Sequence, residues 1–137
     1  MPDFPFLISL PTADRKTAFE FYGAGMGFRP EGEPDENGIP EPLQFALNGM
    51  ARVMLVPTVG FDWITGDRQP APAGVSECML LLPTDSDQEV DATIERARQA
   101  GAEIVTEPNK QRWGYAGAFA DPDGHMWMIR TGMQTAE

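Results

Sequence analysis

The chain has 137 residues, 42% of them hydrophobic and 23% charged, enough for one globular domain with its own core. Twenty-one acidic residues against ten basic ones leave a net charge of −11, which argues against nucleic acid and anionic membranes and favours cations near the surface. Cys78 is the only cysteine, no run is apolar enough to cross a bilayer, and Met1-Pro2-Asp3-Phe4 lacks the pattern of a secretory signal; a cytoplasmic protein without an intrachain disulfide is expected.

In chain order, Phe6 to Pro11 reads as a short apolar strand. A helix is predicted from about Ala13 to Gly23, with Phe19, Tyr22 and Met26 at helical spacing and Thr12 or Asp14 as its cap. The Gly23–Gly27 stretch ends it, and Phe28 opens another short strand. Glu31 to Pro42 reads as an exposed loop. Leu43 to Leu47 and Ala51 to Pro57 form a predicted hairpin around Asn48-Gly49. Thr58 to Gly74 shows little periodicity and reads as a linker or lid-like loop.

The second half repeats the order. Val75 to Leu82 is a predicted strand. Ser86 and Glu89 are spaced as a capping box, and Val90, Ile94 and Ala97 mark the buried face of the helix that follows. Gly101 ends that helix, and Ala102 to Thr106 is a strand. A closing hairpin, Tyr115 to Ala120 and His125 to Arg130, turns at Asp121-Pro122-Asp123-Gly124. Each half is therefore β-α-β-β-β, with modules at 1–57 and 75–131 joined by 58–74. The expected fold class is α+β, with two curved mixed sheets enclosing a cleft.

Thr12-Ala13-Asp14 leads into Ala18-Phe19-Glu20-Phe21-Tyr22 and then Gly27-Phe28. In the second half, Asp85-Ser86 leads to Ala100-Gly101-Ala102 and the closing run Gly114 to Ile129, GYAGAFADPDGHMWMI. In this order these segments resemble the vicinal oxygen chelate superfamily, which includes glyoxalase I, bleomycin-resistance proteins and extradiol dioxygenases. The resemblance implies a divalent metal held by His, Gln or Glu on the first and last strands of each module. Aligned on these segments, the ligand positions fall at Leu7, Leu55, Met79 and Met128, with Ser9 next on the face of Leu7. None offers an oxygen or nitrogen ligand. A two-residue slip offers Ser9, Glu77 and Arg130, with one carboxylate among them.

Several other residues have plainer roles open to them. His125, the only histidine, is out of phase with Met126 and Met128 and reads as a hairpin cap. Cys78 reads as a small core thiol. Glu77 is either an anionic contact at the cleft rim or an exposed carboxylate at a strand start. Trp113 and Tyr115 are the aromatics expected to line the cleft, while Trp127 packs beneath the helices. Arg52 and Arg130 could bind a carboxylate, with solvated strand ends as the default reading.

The leading expectation is a metal-independent small-molecule-binding protein, similar to the bleomycin-resistance branch. Its site would comprise Leu7, Ser9, Leu55, Glu77, Met79, Trp113, Tyr115 and Met128. No cofactor is expected and no catalytic residue is assigned. The ligand would be cationic or planar, and the protein a homodimer that engages neither nucleic acid nor membrane. The alternative is a metal-dependent lyase, isomerase or dioxygenase of the same fold.

Overall fold

A computed structural model of the protein describes residues 4–133. The chain divides into two compact units between Pro70 and Ala71, and each repeats the order β-α-β-β-β. Among the described residues, no helix is long and apolar enough to cross a membrane.

The first unit begins with β1 (Phe6–Thr12) and α1 (Arg15–Glu20), the latter widening into a π-helical turn over Phe21–Gly25. Then come β2 (Arg29–Glu31), β3 (Leu43–Ala46) and β4 (Ala51–Pro57). Asp14 caps α1: its carboxylate accepts the Lys16 backbone N–H at 3.0 Å and the Thr17 hydroxyl at 2.9 Å. The sheet runs β1-β4-β3-β2, with β1 parallel to β4 and the other pairs antiparallel. One face carries Leu43, Phe45, Val53 and Leu55, which are buried with Ala18, Phe21 and Tyr22 of the helix. Tyr22 lies between Phe45, 5.8 Å away, and Phe28, 6.0 Å away. The Arg15 guanidinium holds the 31–42 loop by donating to the Pro40 carbonyl at 2.6 Å and pairing with Asp35 at 3.5 Å and Glu41 at 3.3 Å.

Thr58–Thr65, expected to be loop, is instead a helix, α2. The Thr58 hydroxyl anchors its start on the Thr12 carbonyl at 3.0 Å. Its apolar side chains form no buried stripe, since Val59 and Trp63 are each 89% exposed. Periodicity, which reports a buried face, had nothing to detect.

The second unit contains β5 (Met79–Pro83), α3 (Asp87–Gln99), β6 (Glu103–Gln111), β7 (Gly114–Ala120) and β8 (Met126–Arg130). Its sheet runs β5-β8-β7-β6, again with the first pair parallel. The expected strand from Val75 begins only at Met79. Val75 N–H closes a turn onto the Pro72 carbonyl at 3.1 Å, and the Ser76 hydroxyl donates to the Cys78 carbonyl at 2.8 Å. Local hydrogen bonding of this kind draws backbone away from a sheet ladder. Cys78 is accordingly exposed rather than a core thiol.

Ser86 caps α3 by accepting the Glu89 N–H at 3.1 Å, while the Glu89 carboxylate reaches back to Asp85 N–H at 3.2 Å. Val90, Ile94 and Ala97 are buried with Phe119, Trp127 and Ile129. The Phe119 and Trp127 rings stack at 6.3 Å, 7° from parallel. Gly117 permits the close approach of helix to sheet: a Cβ there would sit 3.1 Å from both Ile94 Cγ1 and Pro108 Cγ. Trp127→Ala is expected to cost about 3–5 kcal/mol of stability through lost burial and a residual cavity, measurable by urea unfolding.

Candidate functional site

Burial of one sheet face in each unit commits the alternate residues to the other. In the first unit, the face away from α1 carries Leu7 and Ser9 on β1, Arg52, Met54 and Val56 on β4, and Gln44 and Ala46 on β3. Arg52 donates to the Gln44 side-chain oxygen at 3.2 Å, and the Gln44 amide reaches Met54 Sδ at 3.7 Å. Leu7 is 39% exposed. Leu55, expected beside it, lies on the opposite face and is 1% exposed. Its place is taken by Met54 and Val56. The run Val53-Met54-Leu55-Val56 is apolar at every position, so alternation alone could not say which pair faces the helix.

In the second unit, the face away from α3 carries Met79 and Leu81 on β5, Met126, Met128 and Arg130 on β8, Ala116, Ala118 and Ala120 on β7, and Thr106 and Asn109 on β6. Met79 and Met128 therefore share a face, as expected. The alanines leave a hollow of about 120 Å³, bounded by Trp113, Met128, Thr106, Asn109 and Gln111 over Ala116–Ala118. A wider depression of about 390 Å³ is bounded by Ala120, Asp121, Met126 and Glu103, and no aromatic ring lines it.

Trp113 is held from three directions. The Arg130 guanidinium lies 4.4 Å from its ring centroid and donates to its carbonyl at 2.8 Å and to the Thr131 carbonyl at 3.0 Å. Gly114 follows with φ +149, and a Cβ there would collide with the Thr131 carbonyl oxygen. Thr131 N–H in turn donates to the Tyr115 carbonyl at 2.9 Å. Arg130 is thus no simple solvated strand end.

Two other expected site residues lie elsewhere. Tyr115 faces α3, where its hydroxyl donates to Asp91 at 2.7 Å. That bond, first, and then burial hold its phenol above the usual tyrosine pKa. Tyr115 is expected at the cleft with Trp113, but it shares the face of Gly117 and Phe119 on β7, whereas Trp113 precedes β7 and the backbone turns at Gly114. Glu77 is exposed and lies outside β5.

Asn109 and Gln111 lie beyond the strand end expected at Thr106, because β6 continues to Gln111; Thr106 lies within the expected strand. Asn109 donates to the Glu107 carbonyl at 2.8 Å and accepts from the Gln111 amide. Asp121, Asp123 and His125 offer metal-ligating atoms within 4.8 Å of one another, a cluster the D-x-D-x-H spacing could have signalled. The Asp121 carboxylate is already engaged there, accepting Asp123 N–H at 3.0 Å and His125 N–H at 2.8 Å.

Comparison with known proteins places these sheets in context. The family model described as Glyoxalase/Bleomycin resistance protein/Dioxygenase superfamily matches residues 6–129. The hypothetical protein SA1046 from S. aureus shares the fold, with a TM-score of 0.78, 22% identity, and coverage of 96% of this chain and 95% of that one. A glyoxalase-related enzyme from Fulvimarina pelagi gives a TM-score of 0.77 at 25% identity, over 92% of this chain and 86% of that one. TnmS3, an antibiotic binding protein from Streptomyces sp. CB03234, gives a TM-score of 0.64 at 29% identity, over 93% of each chain. No curated protein matches.

Two outcomes follow from the geometry. Gly114→Ala is expected to lower stability by more than about 1 kcal/mol and to displace Trp113, visible as a change in tryptophan near-ultraviolet dichroism. Tyr115 has a raised folded-state pKa, so its contribution is full below the ordinary tyrosine pKa and fades as pH rises through the folded value. Tyr115→Phe should therefore lower the melting temperature at neutral pH, and the gap from wild type should narrow at strongly alkaline pH.

Proposed function

We propose that this chain, which belongs to the Glyoxalase/Bleomycin resistance protein/Dioxygenase superfamily, binds a small planar molecule without a metal. The observation that carries the reading is the chemistry of the strand positions where enzymes of the family hold metal. Leu7 stands on the sheet face away from α1, Met79 and Met128 on the face away from α3, and on β4 the residues beside Leu7 are Met54 and Val56. Aliphatic and thioether groups are poor ligands for a hard divalent ion. The donor set does not fit a metal, and no lyase, isomerase or dioxygenase step is derived through one.

The same residues suit a different task. Methionine side chains adapt their shape to an apolar partner. Trp113 offers a flat surface, the Ala116 and Ala118 side chains keep the floor low, and Thr106, Asn109 and Gln111 supply polar edges. Binding of an antibiotic by TnmS3, at 29% identity, is consistent with this use of the fold.

A metal-dependent reading would instead have to employ Asp121, Asp123 and His125. The two separate by experiment. After exposure to Ni²⁺, Zn²⁺, Fe²⁺ or Mn²⁺ and desalting, elemental analysis is expected to find well under one ion per chain. Planar antibiotics should raise the melting temperature equally with and without EDTA, by about 2.7 kcal/mol of added stability at a hundredfold excess over Kd. Stoichiometric metal that disappears in His125→Ala, or stabilisation abolished by EDTA, would overturn the proposal.

A further inference from the structure

The geometry points to the class of ligand: we infer that the Trp113 hollow takes a one- or two-ring aromatic bearing an acceptor oxygen or carboxylate, uncharged or anionic, rather than a cation. This rests on the binding role proposed above and narrows it. The net charge of −11 by itself favours a cationic ligand, and the local arrangement opposes it.

The first observation is the stack on Trp113. An indole face attracts cations because its π electrons are negative. Here Arg130 already occupies that role, with its guanidinium carbon 4.4 Å from the ring centroid. Two hydrogen bonds, to the carbonyls of Trp113 and Thr131, fix it there. The hollow is lined by Trp113 and not by Arg130. A second cation at this indole would be repelled by the guanidinium already held 4.4 Å from the ring centroid. An aromatic carrying partial or full negative charge would be drawn to the same place.

The second observation is the rim. Among the described residues, no carboxylate lines the hollow. The Asn109 amide nitrogen donates one hydrogen to the Glu107 carbonyl, and the Gln111 amide nitrogen donates one to Asn109. Each carries a second hydrogen, and the Thr106 hydroxyl is a further donor. Arg130 is the cation beside this rim; Lys110, paired with Tyr115, belongs to the face toward α3. A donor-rich rim beside one held guanidinium is complementary to acceptor oxygens.

The third is size. About 120 Å³ over an alanine floor admits a flat ring system of one or two rings laid along the sheet, with its edge toward Asn109 and Gln111.

The test uses the full chain and two isosteric bicyclic probes of opposite charge, 2-naphthoate and N-methylquinolinium, titrated by calorimetry. Wild type is expected to bind 2-naphthoate at least about tenfold more tightly than N-methylquinolinium. Trp113→Ala should weaken 2-naphthoate about tenfold or more. Arg130→Met, which keeps an apolar stem beside the indole, should bring the two probes toward parity, while Arg130→Lys should retain part of the preference. If wild type binds N-methylquinolinium as tightly or more tightly, and Trp113→Ala removes that binding, the ligand class is overturned while the binding site stands. If neither probe binds, or Trp113→Ala changes neither, the binding role of this hollow falls as well. The wild-type preference decides the matter even where an Arg130 variant folds poorly.

Discussion

Phe119, Trp127 and Ile129 are packed to complete burial alongside Val90 and Ala97, with Ile94 1% exposed. That packing sets the phase of β7 and β8. Side chains along a strand alternate between faces, so sealing these three beneath α3 leaves Ala116, Ala118, Met126, Met128 and Arg130 no place but the other face. A slip of one residue would expose the largest ring of the core and bury a guanidinium, each a heavy cost. Gly117 belongs to the same constraint from within the sheet, because its missing Cβ is what lets Ile94 approach. The hollow beside Trp113 is the reverse side of a close-packed helix–sheet contact.

Much of this was legible in the residues. The doubled β-α-β-β-β order, the caps at Asp14 and Ser86, the buried stripe Val90-Ile94-Ala97 and both hairpins follow from local chemistry, and the structure contains them. Failures came where local chemistry was symmetric or interrupted. β4 is apolar on both faces, so Leu55 and Met54 could not be told apart by pattern. Gly114 breaks the alternation between Trp113 and Tyr115, which sent one toward the hollow and the other to Asp91. At Ser76 a side chain competes with the ladder, and β5 starts late. Of the expected site, Trp113 and Met128 line the hollow, and the polar edge on β6 was missed because its strand runs on to Gln111 through register shifts that no period-two pattern records.

Net charge and local charge carry different information. Twenty-one carboxylates set the long-range field, which acts on solubility and on encounter rates and is screened within about 8–10 Å at ordinary ionic strength. Selection among ligands at a contact surface depends on the few groups within hydrogen-bonding reach. Several carboxylates are spent on internal work: Asp14 caps a helix, Asp35 and Glu41 hold Arg15, Glu95 and Glu107 engage Arg98, and Asp91 receives Tyr115. Arg130 faces none of these partners in its observed bonds, which run to carbonyls and an indole. An acidic protein thus holds a fixed cation at the one aromatic wall of its hollow.

The Asp121–Gly124 turn joins the strands whose phase defines that hollow, and its own hydrogen bonds bear on any metal chemistry. Asp121 is 4% exposed, and its carboxylate accepts two backbone N–H groups, from Asp123 and His125. Gly124 N–H bonds the Asp121 carbonyl at 2.8 Å, and Asp121 N–H bonds the His125 carbonyl at 2.9 Å. A metal drawing on the carboxylate oxygen that serves both N–H groups would compete with them, and a buried N–H left unpaired costs about 1–3 kcal/mol. The family's metal ligands, by contrast, stand on four strands, where binding an ion leaves the turns undisturbed. Under the alignment proposed above, three of those strand positions carry Leu7, Met79 and Met128. The residues able to ligate are clustered in one turn, and the buried carboxylate among them already secures that turn's backbone. Closing the hairpin occupies Asp121 Oδ1, so a metal at this turn would have to displace those bonds or draw on the other carboxylate oxygen.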